Sequence, residues 1–439
     1  MPFALCARGR TAPRGSCAFS VLPDIGYNAL VTSKRGVISW QRNLYTLVIA
    51  QFLSTAAFSG VTPLLPLFIQ DLGIKNPGEA AFWAGVATFA SGIGSFLAAP
   101  IWGTLADRYG RKSMVLRSTA GGACILVLTG FSPSLAFLIA FRAIHGVLAG
   151  VSTATSALTA SQAPRSRIPF AVGLIQMTFF LGAMTGPLAG GVIADAFGYR
   201  APFFFMGVSL VVACLVVVLF VREDFKPSET SGSHQSPIDN VRMVLGITNV
   251  IPFLGMLMII RFGPFMLQPV LAVFMQDMTT EGAATAAGLA LSLLGLTSAL
   301  SSVIVGRWGR TDRFLVVVAA AGCVASVLFL PQLWVQSAIQ SALLIGMVGL
   351  CQGGLLTSIN SLLSASVSRE RQGAVFGVAQ SAGALSQGVA ALAAGTLTIA
   401  FGVRSIFAAD AVMYLLLGLG AWWMYRRMAT KRVGTQSGG

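Results

Sequence analysis

Charged side chains are scarce in this 439-residue sequence, at 10% of residues, whereas soluble globular domains carry about 25%. Histidine occurs twice, and the six cysteines show no spacing typical of a metal site or a disulfide framework. None of the fourteen carboxylates stands clearly in the middle of a long apolar run. These shortages exclude an ordinary soluble domain. They also leave no nucleophile, metal or acid–base cluster, so we expect a protein that is not an enzyme and binds no metal.

What the sequence has instead is apolar length. Hydrophobic residues make up 55% of the chain, and the mean hydropathy is +0.79. A membrane-spanning helix needs about 20 consecutive, mostly apolar residues. Twelve stretches meet this requirement, at 43–69, 82–105, 114–131, 135–158, 170–193, 201–221, 248–275, 284–305, 314–331, 336–362, 373–397 and 405–426. The sequence therefore predicts an all-α membrane protein with twelve transmembrane helices.

Positive charge is distributed unevenly between the two predicted membrane faces. Of the 29 lysines and arginines, 23 fall on the face that carries both chain ends, and three fall on the other face, namely Lys75, Arg200 and Arg404. Lysine and arginine are retained on the cytoplasmic side of a membrane. We therefore expect both termini in the cytoplasm. The net charge of +15 follows from this topology, and nucleic acid is not an expected partner.

The two halves of the chain resemble each other at a shift of 204 residues. The shift superimposes Arg165 on Arg369, Gly173 on Gly377, Gln176 on Gln380, Gly191 on Gly395 and Arg200 on Arg404. Six spans separate equivalent points, so the repeats have the same orientation, related by an axis along the membrane normal. We divide the chain into a tail (1–42), a six-helix bundle (43–221), a cytoplasmic linker (222–247), a second bundle (248–426) and a cytoplasmic tail (427–439).

The N-terminal tail lacks the apolar core of a signal peptide. We expect it to be disordered. Translation from Val31 or Val37, which would leave residues 1–30 or 1–36 unmade, is the alternative.

Between the second and third spans the chain reads Gly-Thr-Leu-Ala-Asp-Arg-Tyr-Gly-Arg-Lys, residues 103–112. Gly103 permits close helix contact, Asp107 and Arg108 begin a short turn that Gly110 closes, and Arg111 and Lys112 open the next helix. A basic loop with a capping aspartate would explain the charges alone. The full spacing, however, resembles the signature of the major facilitator superfamily between spans two and three. The resemblance implies that Asp107 is a conformational latch against the other half.

The fourth span places Arg142 and His145 three residues apart and hence on one helix face. Ionisable groups within a span are costly and are functional candidates by default, although Arg142 could instead extend towards an interface. With Gly146, the spacing resembles the family's Arg-x-x-Gln-Gly motif, with histidine at the glutamine position. Because histidine can change charge near neutral pH, we expect Arg142 and His145 to couple transport or contact substrate.

The fifth span contains a repeated glycine pattern. Gly182, Gly186 and Gly190 recur every four residues, and Pro187 and Gly191 stand among them. Small residues at this spacing allow close helix contact, and an interior proline kinks a helix. Tight packing alone would account for the pattern. It also resembles the antiporter motif of the family, which is found in its exporters, and the resemblance therefore favours export over uptake.

The seventh span carries Arg261, followed by Gly263, Pro264 and Pro269, which predict a broken helix. An anionic substrate, carbonyls freed by the prolines, and Asp410 are its candidate partners. Gln51, Gln176 and Gln380 are expected to line a cavity with Arg261.

The sequence does not identify the residue that carries the proton. Many proton-coupled members of the family carry a membrane-buried acid, and this chain has none clearly within a span. The nearest candidates are Asp71 and Asp410, with His145 as the alternative.

The resemblance covers about residues 43–427 and is closest to the bacterial twelve-span multidrug-efflux, drug:proton antiporter branch. The strings Ala106 to Ser118, Gln162 to Arg165 and Phe197 to Phe203 carry it. It implies an inner-membrane exporter of small amphiphilic compounds that works by alternating access in exchange for protons, as a monomer in the lipid bilayer, with no cofactor beyond the proton gradient. Two alternatives remain: a dedicated exporter of an anionic metabolite, such as a siderophore or organic acid, and a membrane sensor that does not transport.

Overall fold

The computed structural model describes residues 40–224, 242–244, 246–247, 250–279, 281–308, 313–367 and 369–436. Within these ranges the chain is helical and contains no strand. The helices of the first half are α1 (Trp40–Val61), α2 (Leu65–Asp71), α3 (Pro77–Tyr109), α4 (Arg111–Gly130), α5 (Leu135–Leu148), α6 (Val151–Gln162), α7 (Ile168–Phe197) and α8 (Ala201–Phe220). Those of the second half are α9 (Val250–Gln276), α10 (Ala283–Trp308), α11 (Phe314–Phe329), α12 (Ala338–Ala365), α13 (Arg369–Phe401) and α14 (Ser405–Gln436).

Twelve segments of this helical chain are long and apolar enough to cross a membrane, which confirms the predicted all-α, twelve-span fold. Two spans are each made of two helices. A 3₁₀ turn, Thr62–Leu64, joins α1 to α2 where Pro63 and Pro66 cannot donate backbone hydrogen bonds. Ala149 and Gly150 interrupt the fourth span between α5 and α6, and Gly150 has a φ of +124°, which favours glycine.

Helix ends differ from the predicted span ends where local capping extends a helix. The second span was predicted from residue 82, but α3 begins at Pro77 because the Asn76 side chain accepts hydrogen bonds from the backbone amides of Gly78 and Glu79. At the chain ends, α1 begins at Trp40, within the predicted tail, and α14 continues to Gln436, beyond the predicted end at 426. Most of the predicted N-terminal tail and linker, 1–39 and 225–241, lies outside the described residues.

Helix packing repeats with a period of six spans. In the first half α1 packs on α7, α3 on α5 and α4 on α8; in the second half α9 packs on α13, α10 on α12 and α11 on α14. Between the halves, α3 meets α13 and α10 meets α7, which is one contact and its symmetry counterpart. Each of these contacts joins the second span of one half to the fifth span of the other. The packing therefore confirms the two parallel repeats that the sequence comparison predicts.

In the described part of the chain, the close contacts between the halves lie towards one side of the membrane. Because the number of spans is even, α1 begins and α14 ends on the same face, here named the terminal face, and the opposite one is the distal face. The close glycine contacts between halves lie in the distal part of the bundle: Gly85 against Ala391, Gly92 against Gly388, Gly191 against Ala284 and Gly288 against Pro187.

Nearer the terminal face, the halves separate. A Cβ added to Gly103, Gly173 or Gly377 would meet no atom within 4 Å. A gap between the halves, named the central gap, therefore opens towards the terminal face.

Candidate functional site

Two equivalent glutamines face the central gap. Gln176 and Gln380, which the 204-residue repeat superimposes, are both exposed although they lie within spans. Gln380 is eleven residues, about three helical turns, before Ala391, which contacts α3. Gln176 stands at the same spacing before Pro187, which contacts α10. Each glutamine therefore lies on the inter-half face of its helix, at a level where the partner helix has moved away.

Arg261 is held beside Gln380. Its Nη2 donates a hydrogen bond of 3.1 Å to the Oε1 of Gln380, and its guanidinium lies close to Gly383. The Nε of Arg261 has no hydrogen-bond partner. The ion pair found among the described side chains joins Arg200 to Asp71, so Arg261 pairs with no described carboxylate, Asp410 included. The cation is therefore available to a ligand in the central gap.

The helix around Arg261 is continuous, which corrects the predicted broken helix. α9 runs without interruption from Val250 to Gln276 with Pro264 and Pro269 inside it. Pro264 lacks the amide that would bond to the carbonyl of Ile260, and the Nε2 of Gln352 donates to this carbonyl instead, at 2.7 Å. A side chain from α12, and not Arg261, therefore satisfies the carbonyl that the proline frees.

The same glutamine connects α9 to α14. The hydroxyl of Tyr414 donates to the Oε1 of Gln352 at 2.7 Å, and the Tyr414 ring stacks on Phe329. One helical turn before Tyr414, Asp410 has no exposed surface, and neither of its carboxylate oxygens has a hydrogen-bond partner. In the sequence Asp410 lies near the end of a span, where an exposed side chain is expected. It is buried because of the way α14 packs on its neighbours.

Arg142 and His145 are buried within the first half. Arg142 is 4% exposed and its Nε has no partner, so it does not extend to an interface. The Nδ1 of His145 lies 3.3 Å from the hydroxyl of Ser91, the ring packs against Phe58, and Nε2 has no partner. His145 therefore belongs to the contact of α5 with α3.

Arg117, to which no role was assigned from the sequence, stabilises the interruption of the fourth span. The end of α5 leaves carbonyls without helical partners. Arg117 donates to the carbonyl of Ala149 at 3.0 Å and lies 3.6 Å over the ring of Trp102. Trp102 donates to the carbonyl of Val147, and Ser95 to that of Gly146. A cation at a helix C-terminus is favourable. The sequence could have suggested that Arg117 stabilises a helix end, but it could not have identified the carbonyl and the ring that Arg117 contacts.

The loop motif at 103–112 is tied to the end of its own half. Gly110 has a φ of +88°, which lets α3 end and α4 begin at once. The backbone amides of Arg111 and Lys112 donate to the carboxylate of Glu223 at 3.1 and 2.8 Å. The carboxylate at this helix N-terminus is therefore Glu223 from the segment after α8.

Two of the three basic side chains of the motif extend the same attachment. Arg111 donates to the carbonyl of Ala157, and Lys112 to that of Val221. Arg108 is exposed, and its guanidinium lies over the ring of Tyr109. The side chain of Asp107, the predicted latch, lies outside the described residues.

The glycine strip of α7 packs on α1. A Cβ at Gly182 would lie within 3 Å of Thr55, and one at Gly186 or Gly190 would overlap the carbonyl oxygen of Ala56 or Gly60. Three of the five motif residues thus close the first half internally.

The other two residues of the motif face the second half. Gly191 packs against the carbonyl of Ala284, and the carbonyl of Pro187 lies against Gly288. The pattern therefore serves both helix packing within a half and contact between halves.

Gln51 occupies a different place from the predicted cavity lining. It is fully buried, its Nε2 donates to Thr55 and Ser152, and its Oε1 accepts from Thr155, all within 2.8 Å. Its hydrogen-bonding capacity is used in joining α1 to α6, so in this conformation it is a packing residue.

On the distal face, polar contacts join the halves. Gln70 of α2 and Gln276 of α9 exchange two amide hydrogen bonds, of 3.1 and 3.2 Å. The carboxylate of Asp195 accepts from the backbone amide of Thr285 at 2.7 Å, at the start of α10. Burial and the charges of Asp195 and Asp71 raise the pKa of Tyr199, so this tyrosine stays neutral. These contacts close the distal side, and Asp71, paired with Arg200 in the open, is poorly suited to carry protons through the membrane.

Family and sequence comparisons agree with this architecture. The family model described as Major Facilitator Superfamily matches residues 47–346 and 253–439. The multidrug resistance protein MdtG of Rahnella sp. (strain Y9602) is 31% identical over 400 residues, which cover 89% of this chain and 95% of that protein. MdtG of Escherichia coli (strain K12 / DH10B) is 30% identical over 404 residues, with 90% and 97% covered.

Solved structures share the fold at low sequence identity. A bacterial homologue of the human lysosomal transporter Spinster, in an inward-facing and unoccupied conformation, superposes with a TM-score of 0.71 at 14% identity, covering 88% of this chain and 97% of that one. The human organic anion transporter MFSD10 (TETRAN) gives a TM-score of 0.61 at 20% identity, with 87% and 99% covered.

Proposed function

The chain belongs to the major facilitator superfamily, and we propose that it exports small amphiphilic compounds across the bacterial inner membrane in exchange for protons. It is a multi-pass membrane transporter. The observation that carries the proposal is the central gap, which exposes Gln176 and Gln380. Met177 and Phe180 are exposed seven and four residues before Met184, which contacts α10, and so lie on the same side of the helix. Apolar walls with a few polar anchors and adaptable methionine suit varied ligands. Relatives about 30% identical over nine-tenths of the chain are named multidrug resistance proteins.

The bias of positive charge supports a cytoplasmic position for the terminal face. The central gap is then open to the cytoplasm and closed to the outside, which is the state in which an exporter takes up its substrate. Export requires the distal contacts to separate and the terminal side to close. Related folds alternate in this way by rocking two bundles around a site near the midplane.

Transport in proteoliposomes with an imposed pH gradient tests the proposal. We expect several unrelated cationic dyes and neutral antibiotics to accumulate in the liposomes, and this accumulation should disappear when the gradient is collapsed. Accumulation that persists without a gradient would contradict proton exchange, and transport of no drug in the panel would contradict multidrug export.

Asp107 would act in the closed state of the terminal side, as a latch between the halves. Asp107→Asn should therefore lower the rate of transport while the yield and thermal stability of the protein stay close to those of the wild type. Asp224→Asn removes an exposed carboxylate on the same face and is the matched control for a general loss of surface charge. Unchanged transport in Asp107→Asn would refute the latch.

A dedicated exporter of an anionic metabolite is the second candidate, and Arg261 favours it. The guanidinium is within reach of the central gap, is held by Gln380, and pairs with no described carboxylate. A hydrogen bond to a charged group contributes about 1.5–3 kcal/mol. The concentration of an organic anion needed to inhibit dye transport should therefore be about tenfold higher, or more, for Arg261→Gln than for the wild type.

Arg307→Gln removes an exposed cation from the end of α10 and serves as the control, since it should leave inhibition unchanged. Transport of one anion class alone, lost in Arg261→Gln, would replace the multidrug proposal with the dedicated exporter. Equal inhibition of wild type and Arg261→Gln would remove the anion site.

A further inference from the structure

Asp410 is the one described carboxylate with no exposed surface. It lies five residues after Ser405, the first residue of α14, about 8 Å along the helix from the distal end at 1.5 Å per residue. Neither oxygen accepts a hydrogen bond from any described group. An ionised carboxylate left in this condition would lose its hydration and receive nothing in return, at a cost of several kcal/mol.

Among the described side chains, no charged group near Asp410 relieves this cost. The titratable or cationic side chains on the described parts of the helices packed around α14 are Cys323 of α11, Cys351 of α12 and Arg261 of α9, and on α14 itself Tyr414 is nearest. The side chains described for α13, from 375 onwards, include no ionisable group. Arg404, just before α14, donates instead to the carbonyls of Leu333 and Val335 at 2.6 and 3.0 Å.

A series of hydrogen bonds links the helix that carries Asp410 to the central gap. Tyr414, one turn after Asp410, donates to Gln352, and Gln352 donates to the carbonyl of Ile260. The next residue, Arg261, donates to the exposed Gln380. Because α9 and α14 share these contacts, a ligand that displaces Arg261 or its helix changes the surroundings of Asp410.

We propose that Asp410 is the binding site of the coupling proton, occupied and sealed in the conformation with the central gap open to the terminal face. The proposal rests on the proposed proton exchange and names the residue that performs it. The site suits a proton and not a metal cation, because a bound cation needs several oxygen ligands and the described helices around Asp410 bring no second carboxylate to it. Asp410 takes up its proton from the distal side when that side is open. It releases the proton to the central gap, and hence to the terminal face, when a substrate in the gap displaces Arg261 and so alters the Tyr414–Gln352 contact.

Asp410→Asn tests the proposal, since it keeps the shape of the side chain and removes the titrating group. In proteoliposomes we use the cationic dye ethidium as the probe. Exchange of labelled for unlabelled ethidium without a gradient should continue within about twofold of wild type, because it moves no net proton, whereas accumulation driven by a pH gradient should fall at least about tenfold. The control is Asp277→Asn, an exposed distal carboxylate, which should leave both rates unchanged. Loss of exchange and accumulation together would indicate a structural role and overturn the proposal.

Infrared spectroscopy of the purified protein gives a readout that does not depend on transport. At neutral pH the wild type should show the carbonyl band of a protonated carboxyl group, which Asp410→Asn removes, Asp277→Asn leaves in place, and Asp410→Glu shifts. If Asp410→Asn does not fold, the Asp410→Glu shift alone is decisive. A wild-type spectrum without the band, or a band that none of the Asp410 variants moves, would overturn the proposal. If the wild type accumulates no ethidium while the band behaves as expected, the multidrug proposal fails and the proton site stands.

Discussion

Leucine in place of Gly186 should prevent the first half from packing and strongly reduce the amount of folded protein. A Cβ at this position would overlap both the hydroxyl of Ser59 and the carbonyl of Ala56, and the second of these belongs to the backbone of α1 and cannot rotate away. Overpacking a close contact costs about 1–3 kcal/mol when side chains can adjust, so a backbone contact should cost more. The yield of monodisperse protein in mild detergent and its unfolding temperature measure the effect.

Gly255→Leu is the matched control. Gly255 also lies inside a membrane-spanning helix, α9, but an added Cβ meets no atom within 4 Å there. This variant should therefore express and transport like the wild type. Equal yields of the Gly186→Leu and Gly255→Leu proteins would contradict the close contact between α7 and α1.

The fold could be predicted from the sequence because its determinants are local. Membrane crossing depends on the apolar length of a segment, and each of the twelve predicted spans overlaps a described helix. The glycine face of α7 could likewise be predicted, because a four-residue spacing must place Gly182, Gly186 and Gly190 on one side of the helix. What the spacing did not tell is that Gly191 and Pro187 contact the other half.

The site was less predictable because its contacts join residues far apart in the chain. Nothing local to Glu223 indicates that it caps α4, more than a hundred residues earlier. Gln51 and Gln380 are both glutamines within spans. Gln51, however, forms hydrogen bonds with three hydroxyl groups, whereas Gln380 is exposed. Residue type fixes hydrogen-bonding capacity, whereas tertiary packing decides whether that capacity is already used. Asp410 shows the same limit, since its burial depends on how α14 packs on the neighbouring helices.

Leucine in place of Gly288 should leave the protein folded but abolish its transport. Gly288 lies on α10, and an added Cβ would overlap the carbonyl of Pro187 on α7. This contact joins the two halves, whereas the contacts of Gly186 lie within one half. The extra side chain therefore penalises only the state in which the distal side is closed. A penalty of about 1–3 kcal/mol on one state of a two-state equilibrium changes its population ratio about 5- to 150-fold.

Distances between spin labels on the two faces measure this change of population. One pair of cysteines replaces the exposed residues Lys75 and Asp277 on the distal face, and a second pair replaces Arg167 and Arg307 on the terminal face, in a background without the native cysteines. Gly288→Leu should lengthen the distal distance and shorten the terminal one. A rigid fold would change neither, and local distortion at α10 would change only one. Opposite changes at the two faces require the halves to rock as bodies about the central gap, which alternating access demands.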